Sequence, residues 1–177
     1  MERIKFLHIR LSLWLGLQPL FPLLLLSFGL YLQHIEGLTP CPMCIVQRYA
    51  LVVVMVCFLA AAASQRALWQ SMFYIVSLIF SFVGAYVAAR QSWLQWYPPE
   101  TVSCGRDFYG IIETFPLQRA LPMIFRGSGD CTQVDWTFLG GSIANWSFVA
   151  FLMLAFISLL TLKMIKTATY ANRVTTD

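Results

Sequence analysis

Apolar positions gather into four long runs, Leu11 to Leu32, Ile45 to Ala63, Leu68 to Ala89 and Ile143 to Leu162. Each approaches the roughly 20 residues that a helix needs to cross the hydrocarbon of a bilayer. The first run is too long for a removable signal peptide, and no small-residue cleavage pattern follows it, so it is expected to remain as a span. The pattern predicts an all-α membrane protein: a single integral domain over residues 1–177, built as a four-transmembrane-helix bundle. Two outer loops join the spans, over about 33–44 and 90–142.

Helix breakers and small residues refine this outline. Pro19 and Pro22 each remove a helix hydrogen bond and are expected to kink the first span. Ser64-Gln65-Arg66-Ala67 is a tight turn, which makes the second and third helices antiparallel neighbours. Ser77, Ser81, Gly84 and Ala85 give the third helix a small-residue face for close packing. Arg90, Trp93, Trp96 and Tyr97 form an interfacial belt, and Pro98-Pro99 ends the helix. In the second loop, Ile111 to Phe125 is rich in apolar residues with Arg119 and Arg126 beside them, which predicts a short helix lying in the headgroup plane.

Composition agrees, since 59% apolar and 11% charged residues do not describe a soluble domain. The net charge of +4 is distributed by topology. Arg3, Lys5, Arg10, Arg66, Lys163, Lys166 and Arg173 all fall on one side of the membrane, and short cytoplasmic segments hold such residues in excess. Both termini are therefore expected to be cytoplasmic. No basic patch interleaved with aromatics is present, so no nucleic-acid partner is expected.

Of five cysteines, Cys41, Cys44, Cys104 and Cys131 fall on the outer side, where an oxidising compartment lets disulfides persist. Cys57 lies about 20 Å below Cys44 by helical rise and reads as a buried apolar residue. Cys41 and Cys44 stand where the second helix begins, beside unpaired N–H groups and a partial positive charge. Cys44 is thus the thiol whose anion is favoured, and Arg48, one turn further along the same face, adds a cation. Arginine at that depth either snorkels to headgroups or marks a site, and the neighbouring cysteines favour the site.

A CxxC by itself is shared by zinc sites, haem attachment and thioredoxin-like enzymes. The whole arrangement is more specific. Cys41-Pro42-Met43-Cys44 with Arg48, Leu94-Gln95-Trp96-Tyr97-Pro98, the stretch Pro122 to Cys131, and Trp136-Thr137-Phe138-Leu139-Gly140 together closely resemble the disulfide bond formation protein B (DsbB) family. The resemblance covers nearly the whole chain. It implies a multi-pass enzyme of the bacterial inner membrane, a protein-dithiol:quinone oxidoreductase whose active cysteines are periplasmic. Such an enzyme reoxidises a periplasmic thioredoxin-fold thiol oxidase (DsbA-like) and passes the electrons to the membrane quinone pool, either ubiquinone or menaquinone.

By the family pattern, a Cys104–Cys131 disulfide exchanges with the partner through a mixed disulfide on Cys104, and a Cys41–Cys44 disulfide then reoxidises that pair. Cys44 would face the quinone, with Arg48 stabilising both its thiolate and negative charge on a quinone oxygen. Where some members place a histidine, this chain has Gln91, which can hydrogen-bond a quinone carbonyl but cannot act as an acid at neutral pH. His34 is near the right surface and reads as an ordinary interfacial residue.

Three other readings compete. Four outer cysteines could hold one tetrahedral zinc, although only one CxxC is present. Two disulfides could staple a non-enzymatic four-helix scaffold, which would leave Arg48 without a role. Vitamin K epoxide reductase homologues share the architecture, but their loop cysteines precede the CxxC, and here the order is reversed.

Overall fold

The computed structural model describes residues 12–38, 40–98, 134 and 136–174. Among these, four helices are long and apolar enough to cross a membrane: Ser12–His34, Pro42–Ala63, Ala67–Trp96 and Ile143–Ala171. The regular part of the first is α1, Leu20–His34, and it is followed by α2, Pro42–Ala63, α3, Ala67–Trp96, and α4, Ile143–Val174. Two short antiparallel strands, β1 (Thr137–Phe138) and β2 (Gly141–Ser142), lead directly into α4. The expected four-helix membrane architecture is observed. The interfacial helix expected over 111–125, together with Cys104 and Cys131, lies outside the described residues.

Local chemistry sets where each helix starts. Gln18 and Pro19 form a turn that interrupts the first span. Pro22, by contrast, sits in the first turn of α1, where its missing N–H would have lacked a partner in any case. The two expected kinks therefore reduce to one break. Helix α2 begins at Pro42, earlier than the apolar run that predicted it, because Cys41 caps it and Pro42 presets the first helical residue. Helix α3 runs past Ala89 to Trp96 before Tyr97 caps it. The hairpin was not anticipated. Its turn residues, Leu139 (φ 49°) and Gly140 (φ 79°), both adopt the left-handed conformation that matches the twist of a two-residue hairpin.

Helix α3 packs along both α2 and α4, and α1 lies against α2. The predicted small-residue face is where α3 meets α4: Ser77, Ser81, Gly84 and Ala85 are all buried. At Gly84 an added Cβ would lie 2.3 Å from a ring carbon of Phe151, so only glycine admits that ring. Ser77 and Ser158 pair their hydroxyls at 3.1 Å across the same contact. Nearer the other end, Gln18 Nε2 donates to Thr161 Oγ1 at 2.8 Å and Gln18 Oε1 accepts from the Tyr74 hydroxyl. Trp14 Nε1 donates to the same threonine oxygen at 3.1 Å. Hydrocarbon offers no partners to such groups, so these bonds tie the first span to α3 and α4. Leu24, Phe82, Tyr86 and Phe156 point outward from the bundle, which suits a lipid-facing surface.

Candidate redox site

The site begins with the cap of α2. Cys41 holds an extended backbone (φ −69°, ψ 160°), and its sulfur accepts from the Cys44 N–H at 3.3 Å. Sulfur thus takes the place that a serine or aspartate oxygen usually fills at a helix start. This local fold brings the Cys41 and Cys44 sulfurs within 2.8 Å of each other at the positive end of the helix dipole. Cys41 is buried and Cys44 half-buried.

Arg48 lies one turn deeper and reaches across to α1. Its Nη2 donates to the backbone oxygen of Gly29 at 2.8 Å, and its Nη1 donates to Gln33 Oε1. Both partners belong to α1. The guanidinium is therefore held from α1, on the wall of a cavity that Cys44 also lines.

Gln91 reaches the sulfurs from α3. Its Nε2 donates to Cys41 Sγ and to Cys44 Sγ, both at 3.3 Å, while its Oε1 accepts from Gln47 Nε2 at 2.8 Å and, at the longer distance of 3.7 Å, from the Cys44 thiol. Gln91, expected only as a weak contact for a quinone, thus touches the cysteines themselves. Gln47 was missed. The available signal was an amide at the start of an otherwise apolar helix, a group that must find a buried partner. Gln95, one turn beyond Gln91, accepts from the Ser142 hydroxyl at 2.6 Å and so ties α3 to the hairpin.

Cys44, Gln47, Arg48 and Gln91 line one end of a cavity of about 480 Å³. Gln33, Gln95, Ser142 and Ser147 also line it, and most of the remaining wall is apolar, with Phe21 and Leu25 from α1, Leu51 from α2, and Val149, Ala150 and Met153 from α4. Aromatic side chains stand at the hairpin end. Trp136 meets Phe28 edge-on with ring centroids 5.8 Å apart, and Trp146 Nε1 donates to the Phe138 carbonyl at 2.9 Å. Two adjacent thiols and a fixed cation on the wall of a mostly apolar cavity are an arrangement capable of thiol–disulfide chemistry.

Comparison with known proteins supplies the family. Residues 11–161 match the family model described as disulfide bond formation protein DsbB. The chain belongs to the disulfide bond formation protein B family. A protein of that name from Acidovorax sp. (strain JS42) is 64% identical over 139 residues, 78% of this chain and 79% of the relative. Another from Albidiferax ferrireducens is 67% identical over 135 residues, 76% of this chain and 78% of the relative. A third, from Azoarcus sp. (strain BH72), is 51% identical over 128 residues, 72% of this chain and 77% of the relative. Family membership makes this multi-pass membrane protein an oxidoreductase of disulfide bond formation.

The other expected residues fall as follows. Cys57 is buried in the interior of α2, as its place in the apolar run predicted. His34 closes α1 and is exposed.

Proposed function

We propose that this chain reoxidises a periplasmic thioredoxin-fold thiol oxidase and passes the electrons to a membrane quinone, sustaining disulfide formation in secreted proteins at the bacterial inner membrane. The observation that carries the reading is that Cys44 and Arg48 line one cavity of about 480 Å³ whose wall is mostly apolar. That volume lies within the range of small-ligand sites, roughly 300–1,000 Å³. A quinone head needs hydrogen-bond donors for its oxygens and its isoprenoid tail needs apolar walls, and the cavity offers both in that order. Arg48 would hold the head and Cys44 would face it. A bound quinone supplies an acceptor for two electrons and two protons.

The chain's own residues do the rest. The mixed disulfide on Cys104 transfers the partner's two electrons to the loop pair, releasing the partner as its disulfide and leaving Cys104 and Cys131 as thiols. Exchange with the Cys41–Cys44 disulfide then restores the loop disulfide and leaves Cys41 and Cys44 reduced. Cys44 is the electron donor to the acceptor because its anion is favoured by the helix start, by Arg48 and by the Gln91 amide. Closing the Cys41–Cys44 disulfide again releases two electrons and two protons, so the cycle balances. Phe28 and Trp136, in edge-on contact, both line the cavity and add to its apolar wall.

Purified protein in detergent, given a reduced thioredoxin-fold partner and a soluble quinone analogue, should consume quinone as followed by its absorbance. Absence of consumption with intact cysteines would remove the proposal.

A further inference from the structure

A primary amide can present either end to its neighbour: two N–H donors or an oxygen acceptor. Turned one way, Gln91 stabilises electron-rich sulfur; turned the other, it sets oxygen lone pairs against sulfur lone pairs. The sulfurs alone do not choose between these, because a thiol can donate or accept. The partner on the far side does. Gln47 Nε2 donates to Gln91 Oε1 at 2.8 Å, a much closer contact than the 3.7 Å at which the Cys44 thiol reaches the same oxygen, and both side chains are 4% exposed, so little water competes for it. We infer that Gln47 is a positioning residue of the Cys41–Cys44 pair: by taking up the Gln91 oxygen it keeps the amide N–H groups on both sulfurs and favours thiolate over thiol.

The device works without a proton of its own. Among the described residues lining the cavity, Arg48 is the only charged side chain, and it is engaged by Gly29 and Gln33. From α1 and α4 no titratable side chain lines it, and α3 contributes the amides Gln91 and Gln95. Arg90, beside Gln91 in sequence, is half-buried outside that lining, and His34 and Glu36 are exposed. The amide pair therefore lowers the cost of the Cys44 anion equally across neutral pH. Neither side chain of the pair titrates there.

The test is the pH dependence of Cys44 alkylation in the full-length protein, reduced in detergent and resolved by peptide mass spectrometry. It uses neither quinone nor a protein partner, so its outcome is separate from that of the proposed electron acceptor. Gln47→Glu is nearly isosteric but replaces the donor by an acceptor, which obliges Gln91 to turn its N–H groups toward the carboxylate and its oxygen toward the sulfurs. The Cys44 profile should move up by about one pH unit, a roughly tenfold slower alkylation on its acidic side. Gln47→Leu, which removes the hold without adding charge, should move it in the same direction by less. In a Gln91→Leu background the further effect of Gln47→Glu should largely vanish, because no amide remains to be turned. A shift of equal size with and without Gln91 would reduce Gln47→Glu to a plain charge effect and overturn the inference. Wild-type profiles for both single variants would overturn it as well.

Discussion

The guanidinium of Arg48 on α2 donates to the backbone oxygen of Gly29 on α1, 2.8 Å away. The bond joins two helices, and Gln33 completes the grip one turn above. An added Cβ at Gly29 would lie 3.7 Å from two guanidinium nitrogens, an ordinary contact, so Gly29→Ala should leave Arg48 in place. The backbone carbonyl is the essential partner, and it cannot be removed by substitution.

This relationship separates anchoring from function. A lysine snorkels as well as an arginine, but its ammonium cannot span two acceptors in a fixed plane. Arg48→Lys is expected to raise the KM for quinone about tenfold, equivalent to roughly 1.4 kcal/mol, with Arg48→Ala worse. Gln33→Leu should show a smaller rise, since the Gly29 bond survives. Steady-state quinone reduction measures all three. Wild-type behaviour of Arg48→Ala would return Arg48 to the status of an anchor.

The two cysteine pairs should separate by variant. Cys104→Ala or Cys131→Ala should abolish oxidation of the protein partner while Cys41 and Cys44 still exchange electrons with quinone. Stopped-flow quinone absorbance with prereduced protein reads the second property, and partner thiol titration reads the first. Full partner turnover by either variant would make the loop pair structural.

Topology has its own readout. The Cys41 end of α2, the Trp96 end of α3 and the Ile143 end of α4 lie at one end of the bundle, and the turn at Arg66 at the other. Reporter fusions after Arg66 or after Arg173 should be active only in the cytoplasm. Fusions between Pro98 and Trp136 should be active only in the periplasm, and the reverse pattern would refute the orientation.

The contact of Gly84 with Phe151 predicts a stability effect. Gly84→Ala forces the Phe151 ring out of a site that leaves a Cβ only 2.3 Å, and overpacking of this kind costs about 1–3 kcal/mol. Thermal unfolding in detergent should show a lower midpoint for Gly84→Ala. Adding Phe151→Ala should recover part of the loss, because the small side chain vacates the space. An unchanged midpoint for the single variant would mean that α3 and α4 separate easily at this point.

What the sequence by itself determined follows from short-range physics. Four apolar runs of bilayer length specify four spans, and the order of short loops makes successive helices antiparallel. The Cys41-to-Arg48 stretch is equally local: a helix start favours a thiolate and an i to i+4 spacing puts Arg48 on the Cys44 face, whatever the rest of the chain does. The small residues Ser77, Ser81, Gly84 and Ala85 announced a close contact without naming Phe151 as its partner. Tertiary structure alone decided the remainder. Gly29 and Gln33 hold Arg48 from another helix, Gln47 and Gln91 meet across 44 positions of sequence, and the cavity exists only because walls from α1 and α4 converge on the cysteines. Spacing rules carry no information across such distances, because the direction of a buried amide is set by the partner it finds after the helices have packed.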